Sequence, residues 1–225
     1  VYMTAEDVGT SAELMAIVGE RTEHVCGLPA DKGGVGEPAD ATAAGVYASL
    51  LSTLDAAFGS REVSGRHIVI SGLGQVGGRL ATKLAAAGAR LSVTDVNLAK
   101  KDFAASLGAA WVDVAEAHTL EADLFVPCGL GGVLTPRVID ELRVPAVVGA
   151  ANNQLAQHEG AAQLAARGIL WAPDFVVNAG GVIYLDMATR PNADFAAIEA
   201  RVSTIGDTIT TICADARAKG ITTLD

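Results

Sequence analysis

The stretch HIVISGLGQVGGRLATKLAAAGA, residues 67–89, decides the fold of this chain. Its first five residues, His67–Ser71, form a short apolar run that predicts a buried strand. The glycine-rich loop GLGQVG (72–77) follows at once, and after it Leu80 and Leu84 recur at helical spacing. The order of strand, glycine loop and helix predicts the opening of a βαβ unit in a parallel sheet.

Each glycine of this loop has a separate purpose if the loop holds a dinucleotide. Gly72 permits a tight turn out of the strand, Gly74 lets the backbone approach a pyrophosphate, and Gly77 lets the helix pack close to the sheet. The helix that begins near Gln75 points its free N–H groups at the phosphates. Three glycines that merely ease a sharp turn are the alternative interpretation.

An acidic residue further along the chain favours the dinucleotide. Asp95 follows Gly77 by 18 residues and ends the second predicted strand. A carboxylate at that place accepts hydrogen bonds from the adenosine ribose hydroxyls and repels a 2′-phosphate, which favours NAD over NADP. Lys100 and Lys101 lie nearby and argue in the opposite direction.

The whole segment from residue 66 onward alternates short apolar runs with alanine-rich helical stretches. This alternation is typical of a parallel sheet with helices on both faces. We therefore predict an α/β fold with a Rossmann-type, doubly wound, mostly parallel sheet. The predicted strands are His67–Ser71, Leu91–Asp95, Trp111–Val114, Leu124–Pro127, Ala146–Gly149 and Ile169–Ala172.

The chain divides into three predicted parts. Residues 1–40 are a connecting segment, in which VYMTAEDVGT predicts a strand running into a turn and Ser11 predicts the start of a helix. Residues 41–190 form the dinucleotide-binding domain, beginning with one long helix. Residues 191–225 hold a C-terminal helix with an apolar stripe of Ile198, Val202, Ile205 and Ile209.

Composition and charge argue against several classes of function. The formal charge of −10 repels phosphate backbones, so no nucleic-acid partner is expected. No stretch reaches the roughly 18 apolar residues of a membrane helix, and the N-terminus lacks the pattern of a signal peptide. Widely spaced cysteines and histidines predict neither a disulfide framework nor a metal site. We expect a cytoplasmic protein that has no contact with a membrane.

Candidate reacting groups lie where predicted strands end, because ligands of open α/β sheets bind at the carboxyl ends of the strands. Asn152, Asn153 and Asn178 offer amide groups suited to a carboxamide or a carboxylate. Turn formation is the alternative role for each asparagine taken alone. The polar, glycine-rich segments that follow predicted strands are VPCGLGG (126–132), GAANNQ (149–154) and PDFVVNAGG (173–181).

These motifs, together with TAEDVGT (4–10), closely resemble the Rossmann half of the leucine, phenylalanine and valine dehydrogenases, which are relatives of glutamate dehydrogenase. The resemblance covers nearly the whole chain, and ANNQ together with APDFVVNAGG is highly specific. It implies reversible, NAD-dependent oxidative deamination of an apolar L-amino acid to its 2-oxo acid and ammonia.

The resemblance also implies roles for individual residues. Asp7 would be the catalytic acid and base, although a solvated turn carboxylate is the alternative for this residue. Asn152, Asn178 and Val182 would bind the substrate. The residues that would bind the cofactor are Thr42, Gly72, Leu73, Gly74, Gln75, Val76, Gly77, Asp95, Val96, Cys128, Gly129, Ala150 and Asn152.

The sequence departs from the family in its lysines. Family members carry an upstream, glycine-rich segment whose lysines hold the substrate carboxylate and activate water. No lysine here has that context, and Lys32 in ADKGGVGEP is interpreted as a solvated charge. Without such a clamp the substrate is not held at reacting distance. We therefore expect a piece of a larger dehydrogenase that binds NAD but by itself turns over amino acids slowly or not at all.

Two other interpretations stay open. A non-catalytic protein that binds NAD, as a sensor or as a regulator of an intact paralogue, would carry the same motifs, and the reading frame upstream of Val1 separates it from the enzyme. A different oxidoreductase, acting on a hydroxy acid or a folate, would need a histidine or lysine near the strand ends. His118 and His158 lie in polar, helix-like surroundings instead. A homo-oligomer is compatible with the sequence.

Overall fold

One parallel sheet organises the protein. The structure, a computed structural model, describes residues 2–6 and 9–225. The strands are β1 (His67–Ser71), β2 (Arg90–Thr94), β3 (Ala110–Trp111), β4 (Leu124–Pro127), β5 (Ala146–Val147) and β6 (Leu170–Trp171). They form a six-stranded sheet in the order β3-β2-β1-β4-β5-β6, and every pairing is parallel. This order confirms the predicted doubly wound sheet, in which the direction of winding reverses between β1 and β4.

The two central strands coincide with their predicted bounds, and the other four differ. Strand β2 begins and ends one residue earlier than predicted, whereas β3, β5 and β6 are shorter. Beyond β5 the backbone stays close to β4, since the Val148 N–H donates to the Phe125 carbonyl oxygen at 3.2 Å and a Cβ atom at Gly149 would lie 2.2 Å from the Pro127 carbonyl oxygen. The regular ladder nevertheless ends at Val147, although the apolar sequence continues the strand pattern.

Helices connect and cover the strands. They are α1 (Ala12–Gly19), α2 (Ala39–Phe58), α3 (Gln75–Ala86), α4 (Lys101–Ser106), α5 (Pro136–Glu141), α6 (Gly160–Ala166), α7 (Asp174–Val177), α8 (Gly180–Ala188) and α9 (Phe195–Lys219). The predicted start of α1 is confirmed, since the Ser11 hydroxyl accepts a hydrogen bond from the Leu14 N–H at 3.5 Å. The long helix predicted over residues 41–59 and the C-terminal helix predicted over residues 195–218 are also confirmed, with ends that differ by at most two residues.

The core lies on both faces of the sheet. In β1, Ile68 and Ile70 belong to one hydrophobic cluster and Val69 to another, because successive side chains of a strand point to opposite faces. Helices α2, α3 and α9 contribute to the first cluster, and α5 and α6 contribute to the second. All three β1 side chains are fully buried, as the apolar run predicts for a strand covered on both sides.

Glycines allow α2, α8 and α9 to approach one another closely. A Cβ atom at Gly206 of α9 would lie 2.9 Å from the Ala48 carbonyl oxygen of α2, and one at Gly180 of α8 would lie 2.3 Å from that of Ala41. Side chains cannot occupy these positions without moving a helix. The predicted stripe of α9 is confirmed, since its four residues Ile198, Val202, Ile205 and Ile209 are all buried.

The N-terminal segment has less regular structure than predicted. The described part of VYMTAEDVGT forms a single parallel bridge, between Thr4 and Val25, in place of the predicted strand. Asp7 and Val8 lie outside the described residues. Across the described part of the chain, no helix combines the length and the apolar character that crossing a membrane requires.

Candidate active site

The glycine loop between β1 and α3 is shaped by close contacts of its own backbone. Gly72 has a φ of +106°, a conformation that favours glycine, and a Cβ atom there would lie 2.7 Å from the Gly129 nitrogen. A Cβ atom at Gly77 would lie 2.0 Å from the Gly72 carbonyl oxygen. These two glycines are therefore required for the loop to fold against β4, whether or not a ligand is bound.

Gly74 differs from Gly72 and Gly77 in having free space around it. A Cβ atom at Gly74 would meet nothing within 4 Å, and the residue is exposed at the N-cap of α3 without a side chain to cap the helix. The first N–H groups of a helix have no partner within it, and the positive end of the helix dipole attracts an anion. The open space at Gly74, at the N-terminus of α3, could therefore hold an anionic group such as the pyrophosphate of a dinucleotide.

Asp95 stands beside this loop, one residue after β2. Its Oδ2 accepts a hydrogen bond from the Leu73 N–H at 2.6 Å, and its Oδ1 accepts one from the Asn97 N–H at 2.7 Å. The Leu73 side chain is fully buried, so Leu73 can face a ligand only with its backbone. Two backbone donors thus fix the carboxylate beside the glycine loop, while Val96 next to it is 86% exposed.

The end of β4 closes the loop from the other side. Cys128 lies against the glycine turn, since a Cβ atom at Gly77 would be 3.0 Å from the Cys128 Cβ. Burial raises the pKa of the Cys128 thiol to about 11. The thiol is therefore neutral at physiological pH and forms an uncharged wall, and the exposed Gly129 follows it.

Arg79 ties α3 to the start of α2. It donates hydrogen bonds to Asp40 Oδ1 at 2.9 Å, to Glu37 Oε2 at 3.3 Å and to the Gln75 carbonyl oxygen at 2.9 Å. Arg79 also lines a cavity of about 230 Å³ beside Gly74. The sequence around Arg79 gives no sign of this contact, because its acidic partners lie 39 and 42 residues away in the chain.

A second group of predicted residues meets at the ends of β5 and β6. The Asn178 Nδ2 donates to Asn152 Oδ1 at 2.5 Å and to the Ala150 carbonyl oxygen at 3.2 Å. Asn152 is exposed and Asn178 is half-buried. The structure thus brings Asn178 of the second motif together with Ala150 and Asn152 of the first, although Ala150 and Asn178 lie 28 residues apart in the chain.

Thr42 and Val182 border this second group through α8. A Cβ atom at Gly181 would lie 2.6 Å from the Thr42 Oγ1, and the Thr42 hydroxyl donates to the Pro38 carbonyl oxygen at 3.1 Å. Val182 is 72% exposed near the start of α8. The start of α2 and the start of α8 therefore touch, a few residues after Asn178 in the chain, and an apolar side chain faces solvent at the start of α8.

The predicted catalytic Asp7 lies outside the described residues. Its neighbour Glu6 is half-buried, and burial together with the nearby Glu37 and Glu13 raises the pKa of Glu6. Among residues 2–6 and 9–225, no three His, Cys, Asp or Glu side chains form a group that could hold a metal ion.

Comparison with known proteins gives consistent results. A family model described as Glutamate/Leucine/Phenylalanine/Valine dehydrogenase matches residues 92–222. Leucine dehydrogenase from Thermoactinomyces intermedius is 40% identical over 183 residues, which cover 81% of this chain and 50% of that protein. Phenylalanine dehydrogenase from Bacillus thermotolerans is 36% identical over 231 residues, covering 100% of this chain and 60% of that protein.

A solved structure shares both the fold and the sequence pattern. The crystal structure of L-tryptophan dehydrogenase from Nostoc punctiforme matches with a TM-score of 0.86 and 31% sequence identity, covering 99% of this chain and 64% of that chain. The chain thus spans between 50% and 64% of the length of these relatives. On the strength of the family model, the relatives and the shared architecture, this chain belongs to the glutamate/leucine/phenylalanine/valine dehydrogenase family.

Proposed function

We propose that this chain is the NAD-binding part of an amino acid dehydrogenase. The whole enzyme would oxidise an apolar L-amino acid to its 2-oxo acid and ammonia, and NAD would take up the hydride. The observation that carries the proposal is the open position above Gly74, at the N-terminus of α3 and beside the fixed Asp95 carboxylate. Gly72 and Gly77 are explained by contacts within the chain, whereas Gly74 is explained by a ligand.

The adenosine half of the cofactor would lie over β1 and β2. The free N–H groups at the start of α3 would bind the pyrophosphate. The Asp95 oxygens keep lone pairs beyond the backbone bonds they accept, so they can also accept from the ribose hydroxyls. A 2′-phosphate would meet this carboxylate, which supports NAD rather than NADP as the cofactor.

The nicotinamide half and the substrate would lie over β5 and β6. Asn152 and Asn178 form one hydrogen-bonded pair there, and their remaining donors and acceptors can orient a carboxamide or an amino acid. Asp7 would move protons during the loss of ammonia, a role that rests on the family resemblance. The exposed Val182 would contribute to the side-chain pocket.

The substrate class follows from the relatives rather than from a pocket in this chain. The relatives compared above are named for leucine, phenylalanine and tryptophan, all of which carry apolar side chains. An apolar L-amino acid, or its 2-oxo acid in the reverse direction, is therefore the proposed small-molecule partner.

The test is an assay of NADH formation by the complete product of the gene. With NAD and L-leucine, L-valine or L-phenylalanine, we expect NADH and a 2-oxo acid in equal amounts, and D-leucine is the control that should give neither. The chain described here, assayed alone, should bind NADH but turn over well below the ordinary rate of about 1–1,000 per second. If NADH binds but no L-amino acid is oxidised by the complete product, the amino acid dehydrogenase proposal is wrong and a binding module is supported.

A further inference from the structure

Two buried polar residues connect the loops that carry Asn152 and Asn178. Gln154 is 0% exposed and Asp174 is 5% exposed, in a core that is otherwise mainly apolar. Buried polar groups must find hydrogen-bond partners, because leaving one unpaired costs more than the bond contributes. The partners of Gln154 and Asp174 therefore show which parts of the chain they hold together.

Asp174 reaches from the β6 side to the β5 side. Its Oδ2 accepts a hydrogen bond from the Gln154 backbone N–H at 2.6 Å, and its Oδ1 accepts one from the Phe175 N–H at 2.8 Å. Asp174 is the first residue of α7, and Asn178 is the residue that caps the other end of this helix. A movement of Asp174 would therefore move Asn178 with the single turn between them.

Gln154 closes the loop that carries Asn152. Its Nε2 donates to the Gly149 carbonyl oxygen at 2.9 Å, and its Oε1 accepts from the Trp171 indole N–H at 3.1 Å. The indole can only donate and the carbonyl can only accept, so the orientation of the Gln154 amide is determined. The loop of residues 149–154 is thus closed on itself, and Asn152 lies within it, followed by Asn153 with a φ of +49°.

An inner and an outer connection therefore join the same two loops. The inner one is the buried pair Gln154–Asp174, and the outer one is the surface pair Asn178–Asn152. We propose that Gln154 and Asp174 are positioning residues, which hold the carboxamides of Asn152 and Asn178 together at the nicotinamide end of the site. This inference rests on the proposed function, because it assigns the nicotinamide to that end.

A purely structural role would be to stabilise the fold without affecting the ligand. The two roles differ in which part of the cofactor they affect. The glycine loop and Asp95, which follow β1 and β2, would hold the adenosine end, and β4 lies between them and β5, which leads to Gln154. A substitution that breaks the inner connection should therefore lower the affinity for NADH. The affinity for ADP-ribose, which has no nicotinamide, should stay unchanged.

The test compares Gln154→Glu with Gln157→Glu, the same chemical change at an exposed position three residues on. An ionised glutamate side chain has no donor for the Gly149 carbonyl oxygen, so the loop loses its closing bond at a pH at which the new carboxyl group is charged. We expect the Kd for NADH to rise about fivefold to tenfold, the Kd for ADP-ribose to stay within about twofold, and the Gln157→Glu control to bind both ligands normally. The side-chain amide resonances of Asn178 should also shift in the free protein.

The outcomes separate the two levels of the account. The positioning role is wrong if the Kd values for NADH and ADP-ribose rise equally in Gln154→Glu. It is also wrong if neither Kd rises although the melting temperature falls. If the unaltered chain binds neither ligand, the proposed function fails and the positioning role fails with it, because no nicotinamide is then held between Asn152 and Asn178. If the unaltered chain binds both ligands, the two Kd values of Gln154→Glu decide the positioning role separately from the proposed function. Should Gln154→Glu not fold, Trp171→Phe removes a single donor, and the same criteria apply to it.

Discussion

At the scale of single residues, the glycine loop contains two kinds of glycine. Gly72 and Gly77 are needed because the backbone of the loop contacts itself and β4 at distances that exclude a side chain. Gly74 faces open space and has ordinary backbone angles of −68° and −159°. No contact within the described chain excludes a side chain at Gly74, and the proposed function assigns the open space there to the pyrophosphate of NAD.

Alanine should therefore affect mainly cofactor binding at Gly74 and mainly stability at Gly77. In Gly74→Ala we expect the free energy of unfolding to fall by about 1 kcal/mol at most, the difference between two helix caps. The new methyl group would occupy the space of the pyrophosphate, and the Kd for NADH should rise at least about tenfold. Chemical denaturation and NADH fluorescence titration measure the two quantities.

Gly77→Ala is the matched variant. Its methyl group would lie 2.0 Å from the Gly72 carbonyl oxygen, so the loop must move. We expect a loss of about 1–3 kcal/mol of stability or more. If Gly74→Ala binds NADH as tightly as the unaltered chain does, the assignment of Gly74 to the cofactor is refuted.

At the scale of secondary-structure elements, the packing of α2 against α8 and α9 depends on small residues. Gly206 lies in the middle of α9, where glycine is ordinarily unfavourable. It is tolerated because a Cβ atom would lie 2.9 Å from the Ala48 carbonyl oxygen of α2 and 3.2 Å from the Ser52 hydroxyl. Close approach of the helices thus offsets the poor helix propensity.

Two exchanges of glycine for alanine test this explanation. Gly206→Ala should destabilise the protein by about 1–3 kcal/mol, because the helices are forced apart. Gly78→Ala in α3 places its methyl group at ordinary contact distance, 3.5 Å from the Leu73 carbonyl oxygen. It should stabilise the protein by about 0.5–1 kcal/mol, through helix propensity alone. Equal effects of both variants in thermal unfolding would contradict the packing argument.

The sequence predicted those elements whose determinants are local. The strands β1 and β4 coincide with apolar runs because both are central and covered on both faces. The predicted bounds of β5 and β6 extend beyond the observed strands, because the loops that carry Asn152 and Asn178 begin inside apolar sequence.

In the site, too, the sequence predicts the local motifs but not the contacts between residues far apart in the chain. The glycine loop and Asp95 follow a fixed spacing along the chain, which a motif records. The contact of Gln154 with Asp174 joins residues 20 positions apart, and that of Arg79 with Asp40 joins residues 39 apart. Neither pair has a spacing that a helix or strand dictates, so only the fold reveals them. The roles of Asp7, Asn152 and Asn178 stay predictions from the family resemblance.

At the scale of the whole molecule, the strand order separates two groups of residues along one edge of the sheet. Asp95 follows β2, whereas Asn178 follows β6, and the order β2-β1-β4-β5-β6 puts four strand spacings between them. With neighbouring strands about 4.8 Å apart, this is roughly 19 Å. An extended dinucleotide can therefore lie across the reversal point between β1 and β4, which is where ligands of such sheets bind.

The most direct test of this arrangement is calorimetric titration of the folded chain with NADH and with NADPH. We expect saturable binding of one NADH per chain, and binding of NADPH at least about tenfold weaker because its 2′-phosphate meets the Asp95 carboxylate. No heat of binding with either nucleotide, in protein shown to be folded, would contradict the claim that this edge of the sheet holds NAD.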